Sequence, residues 1–158
     1  MFSIDSISNV IGTAHVTQVG ILVNSIEEMA KVYAAFLGLP VPEIRTTKPF
    51  EHSHMHYRGT PSPGRCKMAF FKVGDNFEIE LLEPDHEPSF WRECLDRNGP
   101  GMHHLACSVK GADKIAAELA RQGIDCVQEG DFIGGKYVYL DTSGQLGIFT
   151  ELIEHYDA

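Results

Sequence analysis

An internal repeat constrains the fold of this 158-residue chain more than any other feature of its sequence. When the halves are superposed, Gln18 falls on His104 and Glu80 on Glu151. Each half runs from a strand through a helix into several strands and ends in the pattern E-L-[LI]-E. Two copies of one supersecondary unit have to bury their apolar faces against each other, so the repeat predicts two paired modules. The matching segments are QVGILVNSIEEMAKVYAAFLG (18–38) with HLACSVKGADKIAAELARQG (104–123), and EIELLEP (78–84) with FTELIEH (149–155).

Each half predicts one helix. Ser25-x-x-Glu28 has the spacing of a capping box, which marks a helix start, and Gly38 marks its end. The second helix is predicted at about 111–122 and ends before Gly123. In the first helix the apolar residues recur at helical spacing and predict one buried stripe. That stripe consists of Ile26, Met29, Val32, Tyr33, Phe36 and Leu37.

The remaining apolar segments predict eight strands. They lie at about 16–23, 42–47, 66–73, 77–83, 102–109, 124–128, 136–141 and 147–154. The predicted fold class is α+β, with two βαβββ modules forming an eight-stranded, cupped mixed sheet around one metal site. The predicted organisation is an N-terminal extension (1–14), a first module (15–83), a linker with a short helix at SFWRECLD (84–101) and a second module (102–158).

The two-residue period of the strands decides which polar side chains face the interior of the cup. Val19, Ile21 and Val23 face the helix side of the first strand, which leaves Gln18 on the opposite face. The same alternation places His104, Glu80 and Glu151 on the corresponding faces of their strands. We therefore expect each module to contribute two polar residues to one concave site.

One imidazole, one amide oxygen and two carboxylates form a mixed nitrogen and oxygen ligand set. Such a set suits one divalent ion of zinc, cobalt, nickel, manganese or iron. Without a cation, two inward-facing carboxylates would repel each other and lose hydration. The four residues at matching module positions therefore predict a metal site of Gln18, Glu80, His104 and Glu151.

Charge and hydropathy exclude several classes of function. The net charge of −9 disfavours nucleic acid and anionic membrane surfaces, which require a basic footprint. No apolar run is long enough to span a membrane, and the start MFSIDSISNVIG lacks a basic signal-peptide region, so we expect a cytoplasmic protein. One basic strip is either a solvated strand face or a docking strip for an anionic group such as a CoA tail. It consists of Arg45, Lys48, Arg58, Arg65, Lys67 and Lys72.

At these residues the sequence resembles the vicinal oxygen chelate superfamily, over about residues 15–155. IELLEP, GPGMHHLACSV and FTELIE resemble methylmalonyl-CoA epimerases in particular. The resemblance implies that His104 is the metal ligand of the histidine pair, that His103 contacts substrate, and that the protein is a homodimer. Gln18 replaces a histidine usual in epimerases, and the resulting Gln-Glu-His-Glu order is similar to the zinc set of eukaryotic glyoxalase I.

The resemblance implies a metal-dependent isomerase that inverts an acidic carbon beside a carbonyl. Its substrate would be an acyl-CoA or another carbonyl carbon acid, with Glu151 as the base. RGTPSPGRCKMAFF lacks the glutamate that serves epimerases as second base. His54 and His56 are the predicted replacement, because His52, His54 and His56 share one face if EHSHMHY is extended. Predicted substrate contacts besides His103 are Tyr57, Arg58, Tyr137 and Tyr139.

Two other functions remain open at this point. One is a glyoxalase I-like lyase that acts on a thiol adduct. The other is a non-catalytic ligand-binding protein of the bleomycin-resistance type. A dioxygenase fits less well, because those sites use two histidines and one carboxylate on iron.

Overall fold

The computed structural model describes residues 10–12 and 15–157. The predicted extension 1–14 lies outside the described residues except for 10–12, of which Val10 and Ile11 pack against the second-half core. Within the described residues, no helix is long and apolar enough to cross a membrane.

The structure contains ten strands and five helices within the described residues. The strands are β1 (Val16–Leu22), β2 (Arg45–Thr46), β3 (His56–Tyr57), β4 (Thr60–Pro61), β5 (Cys66–Lys72), β6 (Glu78–Pro84), β7 (Gly101–Ser108), β8 (Cys126–Phe132), β9 (Gly135–Leu140) and β10 (Phe149–His155). The helices are α1 (Ile26–Leu37), α2 (Phe50–Ser53), α3 (Phe90–Asn98), α4 (Ala112–Arg121) and α5 (Ser143–Leu146).

All ten strands form one curled sheet in the order β2-β5-β6-β1-β7-β10-β9-β8-β3-β4. The order β2-β5-β6-β1 of the first half mirrors β7-β10-β9-β8 of the second. The two halves meet where β1 pairs antiparallel with β7, and each of these strands pairs in parallel with the last strand of its own half. The α+β fold with a curled mixed sheet is confirmed.

The number of strands differs from the prediction, with ten in place of eight. The additional pair β3 and β4 joins the edge strand β8. Each of its strands is only two residues long, and one contains Pro61, so neither shows a two-residue hydrophobic period. Residues 47–65, here called the crossing segment, therefore run from one edge of the sheet to the other.

The E-L-[LI]-E repeat has a structural explanation in both halves. Its second glutamate caps the helix of its own half: Glu83 Oε2 accepts a hydrogen bond of 2.7 Å from the first amide of α1. Glu154 likewise accepts hydrogen bonds from the amides of Gly111 and Ala112 at the start of α4. A carboxylate at this position satisfies free amide groups and interacts favourably with the helix dipole.

The helices α1 and α4 cover the convex face of the sheet, and α3 covers the concave face. Helix α1 begins at the predicted cap Ser25 and ends at Gly38, which has the left-handed conformation. The predicted apolar stripe is too wide, because Val32 and Phe36 are exposed while Ala30 and Ala34 are buried. At 100° per residue, Val32 and Phe36 lie well away from the face centred on Ala30 and Ala34.

Candidate metal centre

Strand register brings the four predicted ligands together on the concave face. Gly20 of β1 pairs with Glu80 on one side and with His104 on the other. Two residues along, Gln18 pairs with Ala106, which pairs in turn with Glu151. Residues opposite each other in a ladder point to the same face, so the four side chains form two adjacent rows on one surface.

The side chains of Gln18, Glu80 and Glu151 converge on the imidazole of His104. Its Nε2 lies 3.0 Å from Glu151 Oε2, 3.4 Å from Glu80 Oε2 and 3.3 Å from Gln18 Oε1. His104 is 0% exposed and the other three residues are 5% exposed. Solvent therefore does little to screen the repulsion between the two carboxylates.

Gly20 allows the His104 ring to lie close to strand β1. A Cβ atom at position 20 would lie 2.0 Å from Cε1 of His104 and 2.4 Å from its Nδ1. No backbone adjustment of a few tenths of an ångström relieves such a contact. The His104 ring thus occupies the space that any side chain at position 20 would fill.

The electrostatics of the site favour bound cations. Burial raises the pKa of Glu80 to about 7, the Glu151 charge acts in the same direction, and the His104 hydrogen bond opposes both. Burial by itself would lower the pKa of His104, but the charges and hydrogen bonds of Glu151 and Glu80 outweigh it and raise that pKa to about 9. In the absence of a metal, a proton on His104 partly balances the two carboxylates.

The Gln18 amide can satisfy the site in two ways. With its nitrogen inward, it donates to Glu80 Oε2 at 3.1 Å and to Glu151 Oε2 at 3.2 Å. With its oxygen inward, the amide oxygen, two carboxylate oxygens and an imidazole nitrogen face one another, and a metal ion or a proton on His104 Nε2 can satisfy such a set. The ligand atoms of Glu80, His104 and Glu151 lie within 4.8 Å of one another. These residues fit a divalent metal ion bound through nitrogen and oxygen ligands.

Aromatic side chains enclose the site on the concave side. Phe90 and Trp91 of α3 are each 2% exposed and pack against Tyr139, whose ring centroid lies 5.0 Å from that of His104. Tyr139 accepts a 3.0 Å hydrogen bond from Trp91 Nε1, and Tyr137 accepts one from Gln128. Burial raises the pKa of both tyrosines, so their phenols stay protonated at neutral pH.

His103 is buried beside His104, although the two are consecutive in a strand. The β1–β7 register passes from Gly20 opposite His104 to Ile21 opposite Met102, so it contains a bulge at His103. A bulge places two residues of one strand opposite one residue of its neighbour and breaks the alternation of side chains. Both imidazoles therefore lie inside, with their Nδ1 atoms 3.0 Å apart.

The four predicted functional residues of the crossing segment make their contacts elsewhere. His54 Nδ1 lies 2.9 Å from Asp131, and His56 Nδ1 lies 2.8 Å from the carbonyl oxygen of His54. Tyr57 and Arg58 both bind Glu93 of α3, with Arg58 Nη2 2.9 Å from Glu93 Oε1.

The expectation of an extended EHSHMHY segment is wrong. His52 lies in helix α2, and His54 ends that helix in the left-handed conformation. Met55 is the residue of this segment that enters the concave core, where it is 1% exposed.

Sequence analysis missed several of the residues that enclose the site, although it named Tyr137 and Tyr139. Phe90 and Trp91 belong to a segment predicted only as a short helix, and Met55 and Gln128 carried no motif. One available signal was the aromatic pair in SFWRECLD, next to the N-cap Ser89. Such a pair needs an apolar surface, and the concave face is the surface that α1 and α4 leave uncovered.

Comparison with known proteins identifies the family of the chain. Residues 17–139 match the model of the glyoxalase/bleomycin resistance protein/dioxygenase superfamily. A comparison with proteins of curated function finds no match.

Solved structures with a similar fold include the following three, each 23% identical in sequence. A hypothetical protein from Bacillus halodurans has a TM-score of 0.63, over 90% of this chain and 95% of that one. Methylmalonyl-CoA epimerase from Mycobacterium tuberculosis has a TM-score of 0.65, over 90% and 89%. A variant of Streptomyces coelicolor methylmalonyl-CoA epimerase in complex with 2-nitronate-propionyl-CoA has a TM-score of 0.61, over 90% and 98%. The match to the family model extends over most of the chain, and the chain belongs to the glyoxalase/bleomycin resistance protein/dioxygenase superfamily.

Proposed function

We propose that the protein is a metal-dependent isomerase, an epimerase or racemase, that inverts an acidic carbon beside a carbonyl group. The observation that carries this proposal is the convergence of Gln18, Glu80 and Glu151 on His104 Nε2 in a buried site. A metal bound there would act as a Lewis acid toward a carbonyl oxygen and lower the cost of removing the neighbouring proton.

Glu151 is the proposed base. It belongs to the proposed ligand set, and its Oε2 lies 3.0 Å from His104 Nε2, so it would stand next to a substrate at the site. A carboxylate at that place could act as a general base toward the proton on the carbon beside the substrate carbonyl. The rings of Phe90, Trp91 and Tyr139 would enclose a substrate bound at the site.

Inversion needs a proton carrier on the second face of the carbon. His54 and His56 remain the proposed carriers, and Tyr57, Arg58, His103, Tyr137 and Tyr139 the proposed substrate contacts. His54 and His56 would act only if the crossing segment moves, because their rings now bind Asp131 and the segment's own backbone. Inversion of the carbon centre at an unchanged rate in the double variant His54→Gln and His56→Gln would exclude this role.

The substrate is proposed to be a carbonyl carbon acid, with an acyl-CoA as one option. Similar folds include methylmalonyl-CoA epimerases, one of them in complex with an acyl-CoA analogue. Three cations of the basic strip form ion pairs within the chain: Arg45 with Glu43, Arg58 with Glu93, and Lys67 with Glu27 and Glu83. A CoA phosphate would compete with these carboxylates, so the basic strip does not favour CoA over an uncharged ketone.

Metal analysis combined with solvent-deuterium exchange tests the proposal. We expect about one divalent ion per chain, and deuterium entering a recovered carbon acid in a screen of acyl-CoAs and ketones. Glu151→Gln should abolish the exchange. Glu129→Gln, which removes a β8 carboxylate whose ion pair is a 3.9 Å contact with Lys136, should leave it unchanged. Full exchange with Glu151→Gln at full metal content would refute the role of Glu151 as base.

A lyase acting on a thiol adduct is the second candidate, because the Gln-Glu-His-Glu set is similar to the zinc set of glyoxalase I. Thiol-dependent turnover without deuterium in recovered substrate would favour the lyase. Absence of stoichiometric metal, together with tight binding of an organic ligand, would favour a non-catalytic binding protein instead.

A cytoplasmic location and a homodimer are also proposed, both from the sequence and its resemblance. Size-exclusion chromatography with light scattering tests the second. A mass near twice 17.5 kDa is expected, and a mass near 17.5 kDa would contradict it.

A further inference from the structure

His103 has one partnered and one unpartnered ring nitrogen. Its Nδ1 lies 3.0 Å from Nδ1 of His104. Its Nε2 is the one buried side-chain nitrogen or oxygen atom without a hydrogen-bond partner in the part of the chain that the structure describes. Buried polar atoms are nearly always satisfied, so an unpartnered one beside a candidate metal site requires an explanation.

The two facing Nδ1 atoms permit only one proton between them. If His104 binds a metal through Nε2, the neutral ring carries its proton on Nδ1 and donates it to Nδ1 of His103. A neutral His103 that accepts at Nδ1 carries its own proton on Nε2. Occupation of one nitrogen of His104 thus determines the tautomers of both rings.

Apart from His104, the side chains around His103 are aromatic rings, and none of them forms a hydrogen bond with its ring nitrogens. Its ring centroid lies 4.9 Å from that of Phe90, 5.4 Å from Tyr139 and 5.5 Å from Phe149. The hydroxyl of Tyr139 is engaged by Trp91. The Nε2 atom therefore lies among aromatic rings beside the site.

We propose that His103 is a positioning residue whose Nδ1 accepts the Nδ1 proton of His104, orients Nε2 of His104 toward the metal, and leaves an Nε2–H donor among the aromatic rings. The proposal rests on the metal site of the proposed function but not on its reaction. It assigns the bulge in β7 a purpose, since regular alternation would point His103 to the convex face. A substrate oxygen that reaches these rings would meet this N–H group.

Nitrogen-15 NMR of the zinc-loaded protein tests the tautomers directly, without any substrate. We expect His104 to be protonated at Nδ1 and bound through Nε2, and His103 to be protonated at Nε2 alone. A His104 bound through Nδ1, or a His103 protonated at Nδ1, would overturn the proposal. Absence of isomerase activity alongside the expected tautomers would refute the proposed function only.

Two substitutions separate hydrogen bonding from packing. His103→Phe fills the space without an acceptor and should weaken zinc binding by about 10- to 100-fold, measured by chelator competition. His103→Gln retains an acceptor and should largely restore the affinity. Phe149→Leu removes an aromatic contact of His103 but no hydrogen bond, so zinc affinity should stay at the wild-type value. Equal zinc affinities for His103→Phe and His103→Gln would contradict the proposal. If His103→Phe does not fold, the NMR measurement on the unmodified protein still tests it.

Discussion

At the scale of single residues, the smallest side chains are as important as the ligands. In the β1–β7 pairing, Gln18 lies opposite Ala106 and Gly20 lies opposite His104, so each ligand faces a residue with little or no side chain. The repeat equates Gln18 with His104 and Gly20 with Ala106. The symmetry of the two halves therefore supplies both the ligands and the space that they need.

Gly20→Ala should disrupt metal binding. The new methyl group would lie 2.0 Å from His104 Cε1, so the imidazole would have to leave its place in the ligand set. We expect zinc affinity to fall by at least about tenfold, measured by chelator competition. Gly144→Ala is the matched control, because a Cβ atom added there would have no atom within 4 Å except those of its chain neighbours. Unchanged affinity in Gly20→Ala would show that the ring can move without cost to the site.

Metal affinity should depend steeply on pH. The pKa of His104 is raised to about 9, so below pH 9 a metal must displace a proton from this ring. The pKa of Glu80 is raised to about 7, so a second proton must leave below pH 7. By linkage, the association constant should fall about tenfold per pH unit between pH 9 and 7, and more steeply below 7. Calorimetry at several pH values, corrected for buffer, checks both slopes, and a flat profile would contradict the proton competition.

The sequence predicts the four converging residues because the repeat and the strand period act together. Neither signal locates His103, since a bulge depends on how two strands pair rather than on the residues of one strand. The period of β7 places His103 on the convex face, and the structure places it inside. The one residue of β7 that breaks the two-residue alternation thus lies next to the metal ligand His104.

At the scale of elements, long periodic segments are predicted well and short ones are not. Helix α1 begins and ends at its predicted caps, and β5, β6 and β10 lie within two residues of their predicted ranges. The two-residue strands β3 and β4 and the four-residue helices α2 and α5 are missed. Elements this short have no period, and their conformation follows from contacts with distant residues such as the pairing of β3 with β8.

The contact between the crossing segment and α3 should control opening of the concave face. Glu93 of α3 binds Arg58 through both carboxylate oxygens and accepts a hydrogen bond from Tyr57. Glu93→Gln should lower the free energy of unfolding by about 1 kcal/mol, as expected for a partly exposed ion pair with one added hydrogen bond. It should also speed amide exchange in α3 and in β3.

Glu118→Gln provides a control for this effect. It removes an ion pair with Arg121 that lies within α4 and connects no two elements. Exchange in α3 should remain as slow as in the unmodified protein. If both variants accelerate exchange in α3 equally, the Glu93 contact has no particular role in closing the face.

At the scale of the whole molecule, the candidate site joins the two halves of the chain. Its residues come from the four central strands β1, β6, β7 and β10, two from each half. A ligand bound by all four therefore stabilises the seam between the halves, where β1 pairs with β7. Metal binding and global stability should be coupled for this reason.

Zinc at 100 times its dissociation constant should stabilise the folded protein by about 2.7 kcal/mol, because the unfolded chain does not bring the four ligands together. For a chain of this length that corresponds to a rise in Tm of roughly 5 to 11 °C, measured by calorimetry. Glu80→Gln keeps the size of the side chain but removes one charged ligand, and it should lose most of the rise. Glu118→Gln, which changes a carboxylate on the convex helix α4, should keep it in full. An equal rise in all three proteins would mean that zinc binds elsewhere on this acidic chain, since only a site at the seam predicts that Glu80 and not Glu118 determines the effect.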